Sequence, residues 1–144
     1  MNRKQRTEIL CSCDLEELKL MSNLITKEHQ VSILEKANSG LVMVKMRESA
    51  MNHLFYLGEV FVTECKVMIG KSIGLGIIRG SHPKKAYHMA IIDAAYNGRF
   101  SELVEIDEVL VHIKKRQEME KRRQIASLLK TKVDFITLDE EVKA

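Results

Sequence analysis

The stretch from Leu54 to Ile69 limits the possible folds of this chain more than any other segment. It is rich in β-branched and aromatic residues and contains no proline. In its second half, two sets of side chains alternate. One set is Phe61, Thr63, Cys65, Val67 and Ile69, and the other is Val62, Glu64, Lys66 and Met68. A period of two is typical of a half-buried β-strand, so we predict one long strand here.

The residues before this strand predict two more strands. Residues 29–37 and 41–46 have the composition of strands, and Asn38-Ser39-Gly40 between them tolerates the positive φ of a turn. Residues 51–53 are expected to turn the chain again before Leu54.

The residues after the long strand predict a fourth one. Gly70-Lys71 is expected to form a tight turn, and residues 72–78 return as a strand that Gly74 and Gly76 weaken. Four consecutive strands joined by short turns indicate an antiparallel meander.

Two short helices are predicted ahead of the strands. The first covers Arg3–Ser12. The second begins after Asp14, which has Glu17 at the spacing of a capping box, and ends near Thr26. Its apolar residues fall on one helical face and are Leu15, Leu18, Met21, Leu24 and Ile25.

Two further helices are predicted after the strands. Pro83 suits the first position of a helix, with Ser81 or His82 as its N-cap. Asn97-Gly98 predicts the end of that helix. The last helix is long, because neither glycine nor proline interrupts residues 106–130.

These elements together predict an α+β fold with a single domain over residues 1–144. An antiparallel sheet of about four to five strands has helices packed against it, and residues 132–138 supply the last strand. Two short helices lie at the N-terminal end and one long helix at the C-terminal end.

Composition narrows the class of protein. Of 144 residues, 45% are hydrophobic and 30% charged, as in soluble globular proteins. The apolar runs are only a few residues long, whereas a membrane span needs about 20. A net charge of +3 is too small to demand a nucleic-acid or membrane partner. Three cysteines, an odd number, do not indicate a disulfide framework, so we expect a cytoplasmic protein.

The residue types that carry chemistry do not form a complete site. Cys11 and Cys13 supply two metal ligands, which is half of a zinc site, and no second pair completes it. Cys65 is expected to be a small buried apolar residue, as free cysteines usually are. The five histidines are scattered along the chain. This absence of an active site favours a subunit over an independent enzyme.

The segment around Arg79-Gly80 offers a weak phosphate-binding hypothesis. A strand, a glycine turn and a helix start place free amides at a positive helix end, and Lys84 and Lys85 add charge. The segment lacks the glycines and the Lys-Ser/Thr ending of a P-loop. A capped helix start with solvated lysines is the simpler interpretation.

A basic run on the last helix, from Lys114 to Arg123, offers the alternative function of nucleic-acid binding. Glu118 and Glu120 interleave with its cations, and Glu118 has the spacing to pair with Arg122. The chain has no tryptophan to stack on bases. We therefore favour a solvated helix, or a face that docks on a partner, and expect no nucleic acid.

The order of several short motifs resembles the PhnG family, the G subunit of the bacterial carbon–phosphorus lyase system. The resemblance covers residues 40–138. Its strongest part is the predicted long strand, with Gly58-Glu59 followed by Val62-Thr63-Glu64-Cys65. The other matches are Gly40-Leu41-Val42, Gly76, Gly80, Pro83, Ala86, Ala90, Asp93-Ala94-Ala95, Val133-Asp134-Phe135 and Thr137.

The sequence departs from the family pattern at the helix start. Relatives often carry acidic residues directly before the proline, where this chain has Ser81-His82. Because of this departure, we expect the Ser81-His82 cap only to start the helix. The pair Cys11 and Cys13 matches no feature of the family.

The resemblance implies a role in phosphonate breakdown. Such a subunit associates directly with the I subunit, in a core complex that also contains H and J subunits. With an ATP-binding-cassette protein, the G, H and I subunits displace adenine from ATP, with Mg, by an alkylphosphonate. The product is ribose 1-alkylphosphonate 5-triphosphate. The J subunit later cleaves the carbon–phosphorus bond with an iron–sulfur cluster and S-adenosylmethionine.

The resemblance places no catalytic residue, metal or cofactor on the G subunit, so the chain alone is expected to be inactive. An independent enzyme with an unrecognised site is the remaining alternative. Residues that contact the substrate or a partner are expected on the sheet, at Glu59, Thr63, Glu64 and Cys65. The turn at Arg79 and Gly80 is expected to contact a phosphate. The alternative for all six residues is a purely structural role.

Overall fold

The computed structural model describes residues 1–131, which form an α+β fold of four helices and three strands. Their order is α1 (Arg3–Ser12), α2 (Leu15–Glu28), β1 (Val31–Arg47), β2 (Leu54–Ile69), β3 (Ser72–Arg79), α3 (Pro83–Gly98) and α4 (Leu103–Leu129). The predicted fold class is confirmed. The strand predicted over residues 132–138 lies outside the described residues. None of the helices within residues 1–131 combines the length and apolar character needed to cross a membrane.

The sheet is antiparallel, with β2 between β1 and β3. The predicted turn at Asn38-Ser39-Gly40 is wrong, because this segment stays paired with β2 from Asn38, opposite Glu64, onward. A turn there would separate residues 31–35 from the second half of β2, with which they pair. Register shifts between Ile33 and Asn38 absorb the irregularity instead. The described sheet therefore has three strands, one fewer than the meander predicted from the same residues.

The turn predicted at residues 51–53 is confirmed. Asn52 adopts a left-handed φ of 60°, and the Glu48 amide donates to the His53 carbonyl at 3.1 Å. This turn joins β1 to β2 at the end far from the helices.

The helices agree with the sequence analysis except at some of their ends. The capping box of α2 is present, and the Asp14 amide donates to the Glu17 carboxylate at 3.0 Å. His82 is the N-cap of α3. That helix ends at Gly98, as predicted, and Arg99 follows as its C-cap with a left-handed φ of 54°. The Asn97 side chain donates to the Ile73 carbonyl at 2.7 Å, which links the last turn of α3 to β3.

The core lies between one side of the sheet and the helices. The fully buried large side chains come from α2, β2, α3 and α4, and include Leu18, Met21, Ile25, Val67, Ile69, Ile91, Ile92, Ile106 and Leu110. The backbone of α3 lies directly on β3 at Gly74 and Gly76. A Cβ atom at Gly74 would overlap the Ala90 carbonyl, and one at Gly76 would overlap the Ala86 carbonyl.

A buried ionic cluster joins α1 to this core. The Asp93 carboxylate lies 2.7 Å from the Arg3 guanidinium and 3.5 Å from that of Arg6. It also accepts the Leu75 amide of β3 at 3.1 Å. The Arg6 guanidinium lies 3.7 Å from the centre of the Tyr96 ring. One carboxylate on α3 therefore holds both α1 and β3.

We expect Gly76→Ala to lower the free energy of unfolding by about 3 kcal/mol or more, because α3 must move away from the sheet. Gly40→Ala is the matched control, since nothing lies within 4 Å of its added Cβ. It should change stability by less than about 0.5 kcal/mol. Urea titrations of both variants provide the measurement. Equal midpoints would contradict the close packing of α3 on β3.

His88, which joins α3 to α2, makes stability depend on pH. Ser22 Oγ and His88 Nδ1 lie 2.7 Å apart. Burial lowers the pKa of His88, and the nearby Lys19 charge lowers it further. The fold therefore favours the neutral imidazole more than the unfolded chain does.

We expect the stability contributed by neutral His88 to be complete above its unfolded pKa, about 6.5. That contribution should fall as the pH drops below this value. The thermal midpoint at pH 5 should therefore lie below that at pH 7.5, and His88→Gln should reduce the difference. This window lies above the pH at which Glu17 and Glu102 protonate, since the pKa of each is lowered in the fold. The same difference in wild type and variant would refute the assignment to His88.

Candidate functional site

The four sheet residues predicted for the site do not converge in the structure. Thr63 and Cys65 are buried on the side of β2 that faces the helices. Glu64 is half-buried and points to the opposite side, because neighbouring residues of a strand alternate. Glu59 is exposed and lies further along β2, opposite Met43. The structure therefore brings only Thr63 together with the predicted turn at Gly80.

Thr63 shapes the connection between β3 and α3. Its hydroxyl donates to the Gly80 carbonyl at 2.5 Å and accepts the His82 amide at 3.1 Å. The Gly80 amide donates to the Phe61 carbonyl at 2.9 Å, and Gly80 has a φ of +89°, which favours glycine. The geometry of Thr63 and Gly80 is thus explained by the turn that starts α3.

The phosphate contact at this turn stays a prediction. Arg79 is exposed at the end of β3. Lys85 already donates to the Cys13 carbonyl at 2.8 Å, which links α3 to the end of α1. The His82 amide at the start of α3 already donates its hydrogen bond to the Thr63 hydroxyl.

The cysteines are protonated thiols in the fold. The expected burial of Cys65 is confirmed, and burial raises the pKa of its thiol, which donates to the Glu35 carbonyl at 3.4 Å. Burial also raises the pKa of Cys13 to about 12 and raises that of Cys11. Thiols with raised pKa values are poor nucleophiles. Within residues 1–131, no three histidine, cysteine, aspartate or glutamate residues cluster closely enough to hold a metal ion.

The basic run of α4 is partly neutralised by carboxylates. Arg116 lies 2.6 Å from Glu17 of α2, and Lys114 lies 3.8 Å from Glu118. Glu118 therefore faces Lys114, one turn before it, and not Arg122 as its spacing also allowed. Part of this run serves to join α4 to α2.

The most unusual surface is a two-stranded ribbon that extends beyond the helices, and we call residues 38–61 the arm. β3 pairs with β2 only from Val62 to Ile69, so the first half of β2 has β1 alone as its neighbour. None of the residues of the hydrophobic core cluster lies in the arm. Val44 and Val60 are half-buried. Its other large apolar side chains are between 43% and 71% exposed, and they are Leu41, Val42, Met43, Met46, Met51, Leu54, Phe55, Tyr56, Leu57 and Phe61.

The arm has two chemically different sides. Residues paired across strands share a side, so the register assigns them. The helix side continues from Thr63 and carries the pairs Leu41 and Phe61, Met43 and Glu59, Lys45 and Tyr56, and Arg47 and Leu54. The open side carries the pairs Val42 and Val60, Val44 and Gly58, and Met46 and Phe55. Only the helix side holds charged residues.

Such a ribbon is typical of an interaction surface. An isolated two-stranded ribbon is marginally stable in water. Large contiguous apolar patches on a protein surface mark sites where other molecules bind. The sequence analysis did not identify this surface. The available signal was that apolar residues occupy consecutive positions in residues 41–44 and 54–57, whereas a strand with one solvated side alternates.

A buried core with an uncovered apolar arm is typical of proteins that assemble with others. Comparison with known protein families identifies the family of this chain. The family described as "Phosphonate metabolism protein PhnG" matches residues 1–139, and the chain belongs to this family. The resemblance found in the sequence is confirmed.

A relative of known name agrees with this assignment. "Alpha-D-ribose 1-methylphosphonate 5-triphosphate synthase subunit PhnG" of Rhizobium meliloti (strain 1021) is 26% identical over 137 residues. The matched region covers 94% of this chain and 87% of the relative. The chain is therefore similar, over nearly its whole length, to a protein named as one subunit of a synthase.

We expect Thr63→Val to lower the free energy of unfolding by about 1–3 kcal/mol, because the Gly80 carbonyl and the His82 amide lose their shared partner. Thr63→Ser keeps the hydroxyl and should lose less. Denaturant unfolding of the two variants makes the comparison. A Thr63→Val variant as stable as wild type would show that the hydroxyl does not hold this turn.

Proposed function

We propose that this chain is the G subunit of a cytoplasmic ribose 1-alkylphosphonate 5-triphosphate synthase. In this role it binds the I subunit and supports displacement of adenine from ATP by an alkylphosphonate. H and J subunits and an ATP-binding-cassette protein complete the assembly. Family membership and the synthase subunit named in Rhizobium meliloti support the proposal.

The exposed arm is the observation that carries the proposal. An obligate partner surface is more apolar than ordinary protein surface, and the open side of the arm holds no charge between Val42 and Met46. The I subunit covers this open side. The helix side, where Lys45, Arg47 and Glu59 stand among apolar residues, forms the edge of the contact.

This subunit has a structural role in catalysis and is inactive alone. The raised pKa values of its thiols support that role, as does the structural use of Thr63 and Gly80. ATP with Mg binds in the complex, and the iron–sulfur cluster and S-adenosylmethionine belong to the J subunit. Of the six residues predicted for the site, Glu59, Glu64 and Arg79 keep side chains available to a partner or a substrate.

Met46→Asp tests the arm. Met46 is 52% exposed, so the change should leave the isolated fold intact and place a charge on the open side. The matched control is Val104→Asp on the first turn of α4, where the side chain is 69% exposed and an acidic residue suits the helix N-terminus. Each variant is co-expressed with a tagged I subunit and analysed by pull-down and size exclusion.

We expect Met46→Asp to reduce co-purification at least tenfold, and Val104→Asp to match wild type. The same pair should differ in growth on methylphosphonate as the sole phosphorus source. Failure of the wild-type chain to bind the I subunit would overturn the proposed function. Equal binding by both variants would show that the I subunit docks elsewhere.

A further inference from the structure

Among residues 1–131, no strand pairs with the outer edge of β1. β1 is an edge strand, with β2 on its other side. The Gly80 amide donates to the Phe61 carbonyl, so the backbone groups of Phe61 point toward β3. The backbone amides and carbonyls of successive residues point to alternate edges of a strand. Those of Val60 and Val62 therefore point toward β1. Their partners Val42 and Gly40 are thus the residues of β1 whose amides and carbonyls face β2.

It follows that Ser39, Leu41 and Met43 direct their amides and carbonyls away from the sheet. Within residues 1–131, no backbone hydrogen bond from another element reaches these three residues. Their side chains do not hide the edge either, because Leu41 and Met43 stand on the helix side and are each 62% exposed. Within the described part of the chain, three donors and three acceptors therefore remain open in one row.

The features that normally protect a free edge lie on both sides of residues 38–44. Beyond this segment, a register shift separates Val44 from Lys45, and the charged residues Lys45 and Arg47 follow. Register shifts and the charged residues Glu35 and Lys36 interrupt the half near the helices. From Asn38 to Val44, seven consecutive pairs with β2 follow without a shift. This segment contains no proline and no charge. A regular, uncharged edge strand is a template for pairing with another strand.

We infer that an extended segment of the partner chain adds to the sheet as a strand beside β1, along residues 38–44. It exchanges backbone hydrogen bonds with Ser39, Leu41 and Met43, in the manner of β-augmentation. The inference rests on the proposed function, and it specifies how the partner holds the arm. The added segment is uncharged where it passes Leu41, because a charge there would be buried among apolar side chains.

A second copy of this chain is a poorer occupant of the edge. Two copies joined edge to edge would extend the sheet and leave both sides of each arm exposed. Pairing over seven residues also buries much less than the roughly 1,200 Å² of a stable interface. A different chain can add the strand and cover the apolar open side in the same contact.

Ser39→Pro is the most direct variant, with Ser39→Ala as its matched control. Proline removes only the outward amide of Ser39, which β2 does not use, and proline is tolerated on an edge strand. We expect Ser39→Pro to reduce co-purification with the tagged I subunit at least tenfold, and Ser39→Ala to match wild type. Met43→Pro and Met43→Ala form a second pair, which repeats the test at another outward amide.

Amide hydrogen exchange in the wild-type chain tests the inference without a substitution. Leu41 and Met43 amides should exchange fast in the isolated chain and at least a hundredfold more slowly in the complex. The Gly40 and Val42 amides, which face β2, should already be slower in the isolated chain. Protection of Leu41 and Met43 in the isolated chain would overturn the inference, whether a second copy or other residues of this chain provide it.

The outcomes separate this inference from the proposed function. If Ser39→Pro and Met43→Pro bind the I subunit as well as their alanine controls while Met46→Asp does not, strand addition is wrong and the arm is still the docking surface. If the wild-type chain does not bind the I subunit, both proposals fail. An isolated dimer that Ser39→Pro dissociates would assign the edge to a second copy and would also overturn the inference.

Discussion

The unequal length of its strands determines which part of the sheet the helices of this protein cover. β2 has 16 residues, whereas β3 has 8 and pairs only with the last half of β2. Where all three strands are present, α3 covers one side of the sheet and its backbone rests on Gly74 and Gly76. Where only β1 and β2 remain, none of the four described helices covers them. Thr63 lies at the boundary between these two parts of the sheet. Its hydroxyl bonds the Gly80 carbonyl and the His82 amide and so stabilises the turn from β3 into α3.

The two halves of the sheet therefore differ in what stabilises them. The half near the helices is held by apolar burial and by the Asp93 cluster, which joins α1, α3 and β3. The arm depends on one strand pairing and on cross-strand contacts such as Lys45 over the Tyr56 ring, at 4.9 Å. Burial of apolar surface contributes about 25 cal/mol per Å², and the arm gains that contribution only when a partner covers it. Folding of the arm and assembly of the complex are thus coupled in this account.

Much of the fold could be predicted from local patterns, and the errors have physical causes. The capping box at Asp14, the proline start of α3 and the alternation after Phe61 are signals contained within a few residues. Asn38-Ser39-Gly40 also carries a local turn signal, but pairing with β2 along its whole length overrides that preference. The candidate site was harder to predict. The burial of Thr63 and its bond to Gly80, 17 residues away, depend on the pairing of β2 with β3.

The central claim is that the arm is the surface by which this chain docks, and methionine oxidation tests it directly. Met43, Met46 and Met51 in the arm are 52% to 71% exposed, and Met119 on α4 is 58% exposed. Met21 and Met89 are buried and serve as unreactive references. With peroxide and mass spectrometry, the account predicts that these three arm methionines and Met119 oxidise in the isolated chain. In the complex with the I subunit, the three arm methionines should be protected while Met119 still reacts. Continued oxidation of Met43 and Met46 in a stable complex would contradict the account.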